Sequence, residues 1–78
     1  MARYFFHLHN DLETRDEEGV ELPDLDNARA IAEREARTIA AQAVLAGKLV
    51  LSHSIEVTDE KGRSVILTRF GDVIEIQP

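Results

Sequence analysis

Two histidines two positions apart, His7 and His9, come nearest in this sequence to a spacing that can do chemistry. On a β-strand, residues i and i+2 share a face, so both imidazoles project together and can offer two nitrogen ligands to one metal ion. Asp11 or His53 would complete such a set. The competing reading is a pair of histidines on a solvated or interfacial strand face, which needs no metal. Spacing alone assigns no metal and no cofactor.

Nucleophilic catalysis fares worse. His53 lies between Ser52 and Ser54, but sequence neighbours on a strand point to opposite faces, so the imidazole is badly placed to activate either hydroxyl. Carboxylates are plentiful, yet nothing around them would raise one pKa while leaving another low, as paired acid–base work requires. Gly19, Gly47, Gly62 and Gly71 are isolated at turns and form no phosphate-cradling loop. Phe5 and Phe6 offer aromatic faces for stacking on bases, but acidic residues follow and no interleaved Lys and Arg track a backbone. No catalytic residue and no nucleic-acid partner is assigned; Phe6 is read as core and Phe5 as interface.

The charge points the same way. The chain has 78 residues and a formal net charge of -6. Residues 1–26 carry Asp11, Glu13, Asp16, Glu17, Glu18, Glu21, Asp24 and Asp26 against Arg3 and Arg15, which accounts for the whole excess, while the remainder is balanced. That segment repels phosphate backbones. It attracts a basic protein partner, or else serves as a solvated acidic loop that aids solubility.

Length allows one domain, residues 1–78, with a marginal core, and the absence of Cys removes disulfides and thiolate metal sites as supports. Oligomerisation is the remaining aid. The N-terminal residues lack the pattern of a signal peptide, and no apolar run approaches the roughly 20 residues needed to cross a bilayer. The expectation is a soluble, cytoplasmic domain without membrane contact.

Tyr4 to His9 alternates Tyr4, Phe6 and Leu8 with Phe5, His7 and His9, the period-2 pattern of a half-buried strand. Leu12–Arg15 is a weaker strand candidate and Val20–Leu22 a better one, with turn chemistry at Asn10-Asp11 and Asp16-Glu17-Glu18-Gly19. Asp24 suits a helix N-cap, and a helix is predicted near Leu25 to Ala46, stopped by Gly47. Leu25, Ala28, Ala32, Ala36, Ile39, Ala40, Ala43 and Ala46 form its buried stripe; Arg29, Glu33 and Arg37 form i,i+4 pairs on its edge. Strands follow at Ile55–Thr58 and Val65–Phe70, joined by the turn Asp59–Gly62, where Gly62 suits a left-handed bulge position. Val73–Ile76 is either a bent continuation or a short final element.

The predicted fold is therefore α+β: strand, strand, helix, strand, strand, with a small mostly antiparallel sheet and the Ala-rich helix on one face. Phe5, with either Ile66 and Phe70 or Val65 and Leu67, would leave apolar surface on the other face. On the outer side of the helix, Ile31, Thr38 and Leu45 recur every seven residues, the spacing of a helix–helix ridge.

The opening Arg3-Tyr4-Phe5-Phe6-His7, the segment Asp16 to Gly19 followed by Val20-Glu21-Leu22-Pro23-Asp24-Leu25, and Ile55-Glu56-Val57 with Asp59 and Gly62 together resemble a family of short proteins, mainly alphaproteobacterial, recorded as a domain of unknown function. That resemblance spans nearly the whole chain and implies no activity. Gly19, Leu22-Pro23-Asp24-Leu25 and Ala28, Ala32 and Ala36 also resemble the outline of HicB-type antitoxins, which implies an acidic domain capping a basic ribonuclease toxin. Those antitoxins show a clearer three-strand run before the helix and often a DNA-binding segment, which this sequence does not display.

The expected function is a non-enzymatic protein–protein interaction module, self-associating as a homodimer, with a basic protein partner attracted to the acidic loop. Phe5, His7, His9, Ile31 and Leu45 are its candidate contact residues. The alternatives are the antitoxin-like domain and a metal-dependent protein using His7 and His9.

Overall fold

A computed structural model describes residues 1–78, and its elements are β1 (Ala2–His9), β2 (Glu13–Thr14), β3 (Val20–Leu22), α1 (Leu25–Leu45), β4 (Ser54–Thr58), β5 (Ser64–Arg69) and α2 (Phe70–Val73). The fold is α+β, as the alternation and turn signals predict. All strand pairs are antiparallel, in the order β2-β1-β4-β5, with β3 also paired to β1. The weaker strand candidate, Leu12–Arg15, forms the short β2 and the better one forms β3, so three strands precede the helix rather than two.

β1 is the spine of the sheet. Its end pairs with β2 through Leu8↔Thr14 and its start with β3 through Ala2↔Leu22, so one antiparallel run is interrupted by the loop Arg15–Gly19. Its other side pairs with β4 from Phe5↔Thr58 to His9↔Ser54. β4 pairs with β5, with a register shift where Thr58 meets Ser64 and Val57 meets Ile66. Val65 is the extra residue, and Gly62, at φ 78°, makes the preceding turn in the left-handed region that favours glycine.

Helix α1 starts where Asp24 Oδ1 accepts from the Asn27 backbone N–H at 2.9 Å and ends before Gly47. Ala28, Ala32, Ala36 and Ala40 are buried, and they close on Ile55, Val57, Ile66 and Phe70, with Tyr4, Phe6, Leu8 and Leu22 packed alongside. A row of methyl groups lets the helix axis lie close to the sheet. Leu25 and Ala46, at the helix ends, overhang the sheet and are exposed. The pairing expected of Arg37 with Glu33 does not form; the Arg37 guanidinium instead donates to the Val73 carbonyl at 3.0 Å and ties α1 to the chain after β5.

Phe70 turns inward as the largest fully buried side chain, its N–H donating to the His53 carbonyl at 2.8 Å. Gly71 N–H donates to the Leu51 carbonyl at 2.9 Å. These contacts bend the chain out of the sheet into α2, so Val73–Ile76 makes no strand.

Candidate interaction surface

His7 and His9 do lie on one strand face, the one turned away from α1, but they meet different surroundings. His7 is only 3% exposed. The backbone N–H of Asp16 donates to its Nδ1 at 3.0 Å, and its Nε2 lies 2.9 Å from Thr58 Oγ1. An amide N–H can only donate, so Nδ1 is the acceptor and Nε2 carries the proton given to Thr58. His9 is more open: Nε2 contacts Glu56 Oε1 at 2.9 Å and Nδ1 contacts Glu13 Oε1 at 3.2 Å. All four ring nitrogens have protein partners, and no three of the chain's His, Asp and Glu side chains converge as a group that could hold a metal. Asp11 and His53 form a separate cluster with Lys48, at 3.5 Å and 3.1 Å from the Asp11 carboxylate. The His53 ring meets Phe70 edge-on at 6.0 Å rather than facing a serine.

The cover over His7 comes from the loop between β2 and β3. Asp16 Oδ1 accepts from the N–H groups of Glu18 and Gly19, both at 3.1 Å, and Oδ2 from Phe6 N–H at 3.1 Å. Burial pushes this carboxyl upward, but the Gly19, Phe6 and Glu18 donors outweigh it and hold it below the usual aspartate range. Glu56 is held below its usual range chiefly by the hydrogen bond to His9, then by one to Ser64. Much of the acidic segment is spent in this way. Asp11 pairs with Lys48, Glu13 with His9 and Arg15, Glu21 with Arg3, and Asp24 caps the helix. Glu17, Glu18 and Asp26 alone keep unpartnered carboxylates.

The face away from α1 is less apolar than expected. Ile66 and Phe70 belong to the core, and Val65, displaced by the bulge, lines an open hollow with Tyr4 and Leu25 on the helix side. Leu67 is the exposed apolar residue there, 48% exposed and paired with Glu56, while half-buried Phe5 lies on β1 with its ring against Gly19. Val65 and Leu67 therefore do not form the single patch expected of them.

The two edges of the sheet differ sharply. One is built from the short pieces β2 and β3, broken by the Arg15–Gly19 loop, bearing Glu13 and Glu21, and followed by Pro23. Short strands, charges, proline and irregularity are the devices by which proteins keep a sheet edge from pairing. The other edge is β5, six residues long, with no charge or proline from Ser64 through Thr68 and no strand beyond it.

Residues 3–71 match DUF6894, a domain of unknown function. The chain belongs to this family. No curated protein and no solved structure matches it.

Within this DUF6894 domain the five candidate contact residues are scattered. His7 is buried, Phe5 and His9 lie half-buried on the sheet, Ile31 is half-buried on α1, and Leu45 is 89% exposed at the helix end. Asp16, Glu56 and Thr58, which orient the histidines, carried no sequence signal, because a turn aspartate and two strand residues look ordinary until the register is known. Leu67 was visible only as one of two alternatives. No helix is long and apolar enough to cross a membrane.

Proposed function

We propose that this domain works by protein contact, as a self-associating module whose contact surface is the β5 edge. The observation that carries this reading is the asymmetry of the sheet: one edge is guarded by breaks, charge and proline, while β5 presents an unpaired row of backbone donors and acceptors. A core of eight residues, four of them alanine, adds a motive for association, since so small an apolar interior gains from burying further surface.

Sedimentation across a wide concentration range tests it. A mass twice the 8.8 kDa of the chain supports the module; a monomer at every concentration, with nothing captured by the tagged domain from lysate, sinks it. A basic partner, including the ribonuclease toxin suggested by the antitoxin resemblance, has less to bind in the acidic segment, because within residues 1–26 only Glu17, Glu18 and Asp26 carry unpartnered carboxylates. Near-stoichiometric capture of a basic protein would move the contact surface from β5 to that loop.

A further inference from the structure

Resting on that reading of β5 as the contact edge, we infer that its occupant is a second copy of this chain, with β5 paired antiparallel to β5 about a two-fold axis through Leu67. The pairing extends one sheet across both copies and keeps the two α1 helices on the same side.

Three observations select a second copy and this register. The first is charge. Of the eight acids in residues 1–26, which hold the whole excess of -6, five (Glu13, Asp16, Glu17, Glu18 and Glu21) lie in β2, β3 or the loop joining them at the opposite edge, whereas residues 27–78 are balanced. Two copies meeting at β5 place their acidic edges at the far ends of the joint sheet, where repulsion is smallest and screened.

The second is parity. Directly opposed residues share a face, so a continuous sheet pairs positions whose numbers sum to an even value. Centring on Ile66 sets Val65 opposite Leu67, two residues that the bulge has put on different faces. Centring on Leu67 sets Leu67 against Leu67 and Ile66 against Thr68, each pair sharing a face. The third is the bulge. Val65 disturbs the edge at its start, and Ile66–Thr68 is the regular stretch a symmetric pair can use.

The chain has no cysteine, so single-cysteine variants report contacts cleanly. L67C, at an exposed position, is oxidised and also treated with a short thiol-to-thiol crosslinker, with L45C on the helix ridge as comparison. The expected result is conversion of most L67C to a covalent dimer, with L45C remaining uncrosslinked and both variants keeping the circular dichroism of the parent. A parent of doubled mass whose L67C does not crosslink overturns this register and edge while self-association stands. Crosslinking of L45C instead places the contact on the ridge and also overturns it. A monomeric parent removes both the inference and the reading it rests on.

Discussion

The Asp16 backbone N–H donates to His7 Nδ1 across 3.0 Å, joining a loop to the centre of the sheet through an imidazole that is otherwise sealed from solvent. Thr58 holds the other nitrogen at 2.9 Å, so His7 bridges β4 and the loop as a structural residue. His7→Phe keeps an aromatic ring, a slightly larger one, but leaves the Asp16 N–H without its acceptor, which costs about 1–3 kcal/mol. Thr58→Val orphans Nε2–H in the same way. Urea denaturation of both single variants and the double variant should show strong non-additivity; additive losses would mean that the two hydrogen bonds are not one network.

Acid should loosen the same region. Asp16, Glu56, Asp11, Asp24 and Asp59 are all held below their ordinary ranges in the fold. A carboxyl with a depressed folded pKa stabilises the fold above its unfolded pKa, and that contribution is lost as pH falls through the folded value. The urea midpoint should therefore not vary with pH near neutrality on account of these groups, whose contribution is then fully present, and should decline once pH drops below the ordinary values of 3.8 for aspartate and 4.5 for glutamate. Asp16→Asn replaces one acceptor with an NH2 group that cannot receive the Phe6 N–H. It should already be weaker at neutral pH, by about 1–3 kcal/mol, and show a shallower acid decline than the parent. Parallel pH curves for the two proteins would show that Asp16 is not among the groups responsible.

Gly19 is the residue that lets the loop close. Its φ is +69°, and an added Cβ would lie 2.8 Å from the Tyr4 carbonyl oxygen and 2.8 Å from a Phe5 ring carbon. The carbonyl belongs to β1 and cannot retreat. Gly19→Ala should cost about 1–3 kcal/mol from backbone strain and displacement and speed amide exchange at Gly19, Glu18 and Phe6. Unchanged exchange at those positions would show that the loop tolerates a side chain.

The helix face is equally exacting. Ala32 and Ala36 have no exposed surface and sit against the sheet. Ala32→Leu or Ala36→Leu adds three carbons where none fit, and each should lower stability by about 1–3 kcal/mol. A melting temperature that does not move would mean that α1 stands further from the sheet than the packing indicates.

Much of this architecture is legible in sequence because local signals agree with tertiary demands. The Tyr4–His9 alternation, the Asp24 cap, the four-residue alanine spacing and the Gly62 turn each state a backbone conformation that the fold keeps. What escapes is whatever depends on distant chain. Alternation puts His7 on the face away from α1, correctly, but only the loop arriving at Asp16 turns that face position into a buried one. The i,i+4 rule pairs Arg37 with Glu33, yet the Val73 carbonyl, far along the chain, takes its guanidinium. The bulge at Val65 likewise breaks the period-2 rule that would have put Val65 and Leu67 on one face.

Self-association can be assigned to the β5 edge or to the helix ridge by charge alone. Leu67→Arg places one positive charge beside its symmetry mate at the two-fold axis, where both would be drawn from solvent against each other. Ile31→Glu with Leu45→Glu charges the ridge and leaves β5 untouched. If β5 pairs with β5, Leu67→Arg should halve the sedimentation mass and raised salt should partly restore the dimer, since screening weakens the repulsion, while the ridge variant keeps the parent mass. The reverse pattern, dissociation by the ridge substitutions alone, would assign the contact to α1 and leave β5 a bare edge without a partner.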